Sequence, residues 1–249
     1  MQILAQFLLR LAFGLATGMG ITSSRLVTSG YFRNHLYVTM GLATLAALVL
    51  IHLSPTAMCL AVAAAFLSYI GAAAWLYEAS RFGKLILWLV ATCALGAAVL
   101  NPLTGQTYSS LQLWRSISAA TSGLVLGLTF AAMLLGHWYL NAPGMELAPL
   151  RRLLVAAAVA VVVQSLVVGS GLVMAISAQQ SVSFGWLLFI LLRWSFGIAG
   201  VIALLWMAWR TLDIPNTQSA TGILYVAVLG VFIGELTGLL LSAESAYPL

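Results

Sequence analysis

The residues of this chain able to do chemistry are few, and they sit where an apolar sequence tolerates them least. Near its end, GVFIGELTGLLL (residues 230–241) places one carboxylate, Glu235, among Gly230, Gly234 and Gly238. Arg193 interrupts LLRWSFG (191–197), Arg10 interrupts FLLRLAFG (7–14), Gln164 stands in VVVQSLV (161–167) and His52 in VLIHLSP (49–55). An ionised side chain in hydrocarbon costs several kcal/mol, so such residues pair, or face a bundle interior or a wet cavity. Arg and His donate hydrogen bonds to carbonyl oxygens, and a glutamate relays protons. Glu235 and Arg193 are therefore the candidate reactive pair, with His52, Arg10 and Gln164 as candidate substrate-binding groups. A buried Arg–Glu pair also has a plainer use, fixing helix register, and Arg10 can snorkel outward.

GHWYLN (136–141) gathers His137, Trp138 and Tyr139 at the end of an apolar run. It reads as an interfacial aromatic belt, or as a ring-binding or docking site. The two cysteines, Cys59 and Cys93, form no CxxC pair. There is no HExxH, acidic cluster or His-rich tract, so no metal is expected. His35, His52 and His137 offer no matched pair inside the apolar spans to serve as axial haem ligands. GxSxG, P-loop and Rossmann glycine patterns are also missing. Neither hydrolysis nor ATP coupling is expected, and no cofactor held by this chain.

The elements that must position these residues follow from composition. Of 249 residues 63% are hydrophobic and 6% charged, against roughly a quarter charged in a soluble domain. The chain reads as all-α, a polytopic integral membrane protein with the bilayer as its main partner. A transmembrane helix needs about 20 apolar residues, and eight such spans fall at roughly 2–22, 37–53, 56–77, 84–101, 117–140, 152–177, 185–209 and 219–242. Breaks coincide with Pro55, Pro102, Pro143, Pro149, Pro215 and the polar run 177–181. The net charge of +5 reports orientation, not nucleic-acid binding. Arg25, Arg33, Arg81, Lys84, Arg151, Arg152 and Arg210 fall in loops on one side, and Arg115 alone on the other. Positive loops stay cytoplasmic, so both termini are expected on the outer, periplasmic side of a bacterial inner membrane. Arg193, Glu235 and Arg10 then all lie roughly 10–12 Å below the outer boundary.

Gly14-x-x-x-Gly18 in the first span matches Gly123-x-x-x-Gly127 in the fifth, and spans three and seven both end in Trp-rich stretches, AAAWLYEASR and LLWMAWRTLD. Within one membrane domain, 1–249, two parallel four-helix halves, 1–112 and 113–249, would account for this. Small-xxx-small spacing is also ordinary in membrane helices.

Eight helices, outward termini, four-helix halves and polar groups gathered in the outer half resemble the NrfD/PsrC/DmsC membrane-anchor subunits. The resemblance is one of topology and covers the whole chain; the site residues above are chosen by depth and chemistry. It implies a haem-free subunit of a bacterial respiratory complex that reacts with quinone or quinol inside one four-helix half. It also implies a docked iron–sulfur or cytochrome subunit that carries the electrons. Two other readings stay open: a small anion or solute permease, since two cations surround one acid, and a structural subunit whose ion pair only locks packing.

Overall fold

A computed structural model describes residues 1–101, 109–142, 144–178, 183–214 and 216–249. Pro102, Pro143, Pro215 and residues 179–181, which the sequence reading uses as breaks, lie outside the described residues. All regular structure among the described residues is helical: α1 (Gln2–Ile21), α2 (Ser29–Leu50), α3 (Pro55–Leu76), α4 (Ser80–Val99), α5 (Ser109–Asn141) and α6 (Ala148–Ser177). A continuous rod follows, built from α7 (Phe184–Leu192), a π-helical segment (Arg193–Gly200) and α8 (Val201–Thr211), and α9 (Thr217–Glu244) closes the order. Pro55 opens α3 under a Ser54 cap, whose hydroxyl accepts from the Ala57 amide; proline is tolerated there because that N–H has no helical partner.

Seven helices are long and apolar enough to cross a membrane, with α7, the π segment and α8 counted as one. The span expected at 37–53 is not among them. That stretch belongs to α2, which begins earlier and takes in Arg33, Asn34 and His35. The outer surface is that of a lipid-embedded bundle: Phe66, Leu166, Leu191, Trp206 and Leu229 are all exposed.

Helix α1 packs on α2 and α4, and α3 packs on both of those, closing one four-helix group. Helices α5, α6, α8 and α9 close a second, and α1 against α5 joins the two. The paired GxxxG stretches lie at that join. A methyl added at Gly14 would strike the backbone of Gly123 and Gly127, and one at Gly127 would strike Gly14 and Leu15. Lipid offers no hydrophobic drive for helix association, so close backbone approach and its dispersion contacts hold such joins together.

The loops sort into two ends. At one end Lys84 donates to the carbonyls of Met19, Gly20 and Thr22, and Trp138 Nε1 donates to Thr28 Oγ1 at 2.9 Å. There too Arg151 Nη2 reaches the Leu212 carbonyl at 2.8 Å and Asp213 at 3.2 Å. At the opposite end Gln6 ties α1 to the end of α4 through the Ala98 and Asn101 carbonyls. Arg115 ties α5 to the C-terminal segment through the Ala246 carbonyl at 2.9 Å.

Candidate functional site

The glycines of α9 form the floor of the site. Gly234 abuts Gly197 backbone to backbone, and Gly230 faces the Phe196 carbonyl. This lets the π segment lie flat on α9. At Gly238 the absent side chain leaves the volume that the Arg193 guanidinium fills, so a methyl there would fall on the guanidinium itself. Arg193 opens the π segment, whose i→i+5 turns are wider than α-helical ones. It is 3% exposed and Glu235 is 6% exposed. Arg193 Nη2 stands 3.6 Å from Glu235 Oε1, and Nη1 donates to the Gly234 carbonyl at 3.2 Å. The second carboxylate oxygen, Oε2, accepts from Ser122 Oγ of α5 at 2.5 Å. Three helical elements thus converge on one carboxylate, and both of its oxygens are engaged.

Around this pair lies a wider polar cluster. Arg10 of α1 is close enough to interact electrostatically with both Glu235 and Arg193. Its Nε donates to Gln6 Oε1 at 3.0 Å, and among the described residues it makes no ion pair within 4 Å. Gln164 of α6 accepts from Thr121, the neighbour of Ser122, through its amide oxygen. Two of its buried N–H donors have no partner: Arg193 Nε and Gln164 Nε2. The cluster holds two cations against one anion. It can pair with acceptor oxygens or an anionic group, and Glu235 can take up or release a proton.

The other candidates lie elsewhere. His52 is exposed in the turn after α2, outside the buried cluster, because α2 ends at Leu50 and not beyond His52. His137, Trp138 and Tyr139 do not share one pocket; the turn of the helix sends them three ways. His137 is exposed, with Nδ1 3.3 Å from the Tyr225 hydroxyl. Trp138 bonds Thr28 and lies edge-on to Tyr31 and His35. Tyr139 donates to the Glu146 carbonyl. These contacts staple the loop end of the bundle. Among the described residues no three His, Cys, Asp or Glu side chains converge as metal ligands.

A groove of about 700 Å³ opens between the start of α7 and the C-terminal end of α9, lined by Ser183, Trp186, Phe189, Leu241, Glu244 and Ser245. Leu241 also packs in the apolar cluster with Ile190 and Leu249 against which Trp194 rests. Sequence reasoning missed Ser122, Gly238 as the seat of Arg193, and the π segment. The one signal for Ser122 was its place next to Gly123 on the closely packed face of α5. Comparison with known proteins finds no matching family model, no matching curated protein and no matching solved structure.

Proposed function

We propose that this chain is a quinone- or quinol-reactive membrane subunit of a bacterial respiratory complex, without a cofactor of its own. On this reading it crosses the inner membrane eight times with both termini outside, and it exchanges electrons with a docked redox subunit. One observation carries the proposal: a carboxylate buried within a lipid-embedded bundle, held by Arg193 and Ser122, on a helix whose C-terminal end lines a groove of headgroup size. Ligand pockets are commonly 300–1,000 Å³, mostly apolar with a few convergent polar groups. A quinone and its quinol differ by two electrons and two protons. The electrons pass to or from the partner subunit, and Glu235 exchanges protons with a headgroup oxygen, one at a time. Arg193 keeps Glu235 oriented. The headgroup enters from the α7–α9 groove while the isoprenoid tail stays among the exposed aliphatics.

The test is Glu235→Gln in the intact complex. The substitution keeps volume and hydrogen bonding but removes the proton-exchanging group. Quinol turnover should fall at least a hundredfold, with assembly preserved. Undiminished turnover overturns the proton role, and loss of assembly alone favours the structural reading. The surplus cation Arg10 favours one alternative, an anion permease; uptake of a labelled anion by the lone purified chain would support that instead.

A further inference from the structure

Three of the cations at the loop end are already engaged within the protein. Lys84 gives its ammonium group to the carbonyls of Met19, Gly20 and Thr22, and Arg151 and Arg210 share Asp213. The other four, Arg25, Arg33, Arg81 and Arg152, make no ion pair within 4 Å among the described residues. Two of these four are brought to one place. The Lys84 bonds tie the first turns of α4 to the end of α1 and the residue after it. Arg81 stands three residues before Lys84 and Arg25 three residues after Thr22, so both lie on the same rim of the first four-helix group, and both are exposed. Glu78, exposed in the turn before α4, is the only acid in that group, and it pairs with neither.

Beneath the rim runs an apolar seam between α1 and α4. Gly20 lacks a side chain, and the Trp88 ring lies against it, 3.2 Å from where a methyl would stand. Arg81, Leu85 and Trp88 follow at i, i+4 and i+7, one stripe of a helix. Leu85, Trp88 and the neighbouring Ile21 of α1 are all exposed. Independently of the quinone reading, we infer that this seam binds an anionic phospholipid, its phosphate on Arg25 and Arg81 and an acyl chain along Ile21, Leu85 and Trp88. Guanidinium groups match phosphate oxygens in charge and in planar two-point geometry. A zwitterionic lipid brings its own ammonium group up to the two arginines and gains less. A free phosphate meets the same cations but leaves the seam bare. The second four-helix group offers no equivalent: Arg151 is held by Asp213 and lies over the Trp209 ring, which leaves Arg152 as the exposed cation without an ion pair there.

The experiment titrates phosphatidylglycerol and phosphatidylcholine in detergent against the full chain, purified with any subunits that accompany it, and counts bound lipid by native mass spectrometry. Phosphatidylglycerol should fill one site about fivefold tighter than phosphatidylcholine, or better, the order of effect of one basic side chain on an anionic headgroup. Arg25→Gln combined with Arg81→Gln should weaken that site by about tenfold or more, whereas Arg152→Gln should leave it unchanged. Should the double variant misfold, Arg81→Gln alone, on the exposed stripe of α4, carries the same test with about a fivefold loss. Equal affinity for the two lipids, or an equal loss on Arg152→Gln, overturns the site in favour of diffuse attraction to the whole loop end. Trp88→Ala should weaken phosphatidylglycerol several-fold and leave any binding of inorganic phosphate untouched. Inorganic phosphate that displaces the lipid at millimolar concentration, with Trp88→Ala silent, overturns the lipid and reduces the rim to an anion site.

Discussion

At the scale of single residues the question is whether Glu235 and Arg193 hold the fold or do its work. Removing one member of a buried ion pair strands the other charge. Glu235→Ala should therefore destabilise the bundle by about 3–5 kcal/mol, read as a lower midpoint of thermal unfolding in detergent. Replacing both members with apolar residues of similar volume leaves no stranded charge and is often neutral or stabilising. The double variant Arg193→Met, Glu235→Leu should unfold within a few degrees of the parent and yet, on the proposed quinone reading, lose quinol turnover. A double variant that is stable and fully active reduces the pair to a packing device. The sequence pointed to Glu235 and Arg193 because charge is conspicuous in an apolar run. Ser122 was invisible because a serine in a small-residue stretch looks like any other, and only a contact across 113 residues gives it a role. His52 stands apart from the buried cluster for a local reason: the turn after Leu50 carries it out to the surface.

At the scale of elements the glycines of α9 are not equivalent. Gly222 has open space where a side chain would stand, whereas Gly238 is filled by the Arg193 guanidinium. Gly222→Ala should be neutral or raise stability by up to about 1 kcal/mol, since alanine is the better helix former. Gly238→Ala forces Arg193 off its seat, breaking its contacts to the Gly234 carbonyl and Glu235. It should cost roughly as much as stranding the charge outright, about 3 kcal/mol or more, and both variants can be ranked by one thermal-unfolding series. Spans were legible from length and apolarity, and the four-residue glycine spacing announced a close helix contact. The π segment was not legible. RWSFGIAG carries no periodic signal that separates π from α, and its geometry is tied to a tertiary contact, Gly197 on Gly234. The second span was misjudged at its start because Arg33, Asn34 and His35 continue the helix beyond its apolar part.

At the scale of the whole molecule, helix packing and side-chain bonds gather the four basic loops at one end, independently of any membrane. Lys84 reaches the end of α1, Trp138 the loop after α1, and Arg151 the loop after α8. The termini meet the opposite end through Gln6 and Arg115. The Lys and Arg count over short loops orients such a bundle, and acidic residues contribute little, so the pairing of Arg151 with Asp213 does not remove Arg151 from the tally. On the proposed orientation, with seven cations against one, the loop end lies in the cytoplasm. A periplasm-dependent phosphatase fused after Leu249 should be active, and the same reporter fused within the Arg81 or Arg210 loops inactive. The reverse pattern would turn the bundle over and bring the Glu235 site near the cytoplasmic face. A docked electron carrier would then have to approach from inside the cell, since an electron passes readily only between groups held on the same side of so thick an apolar layer.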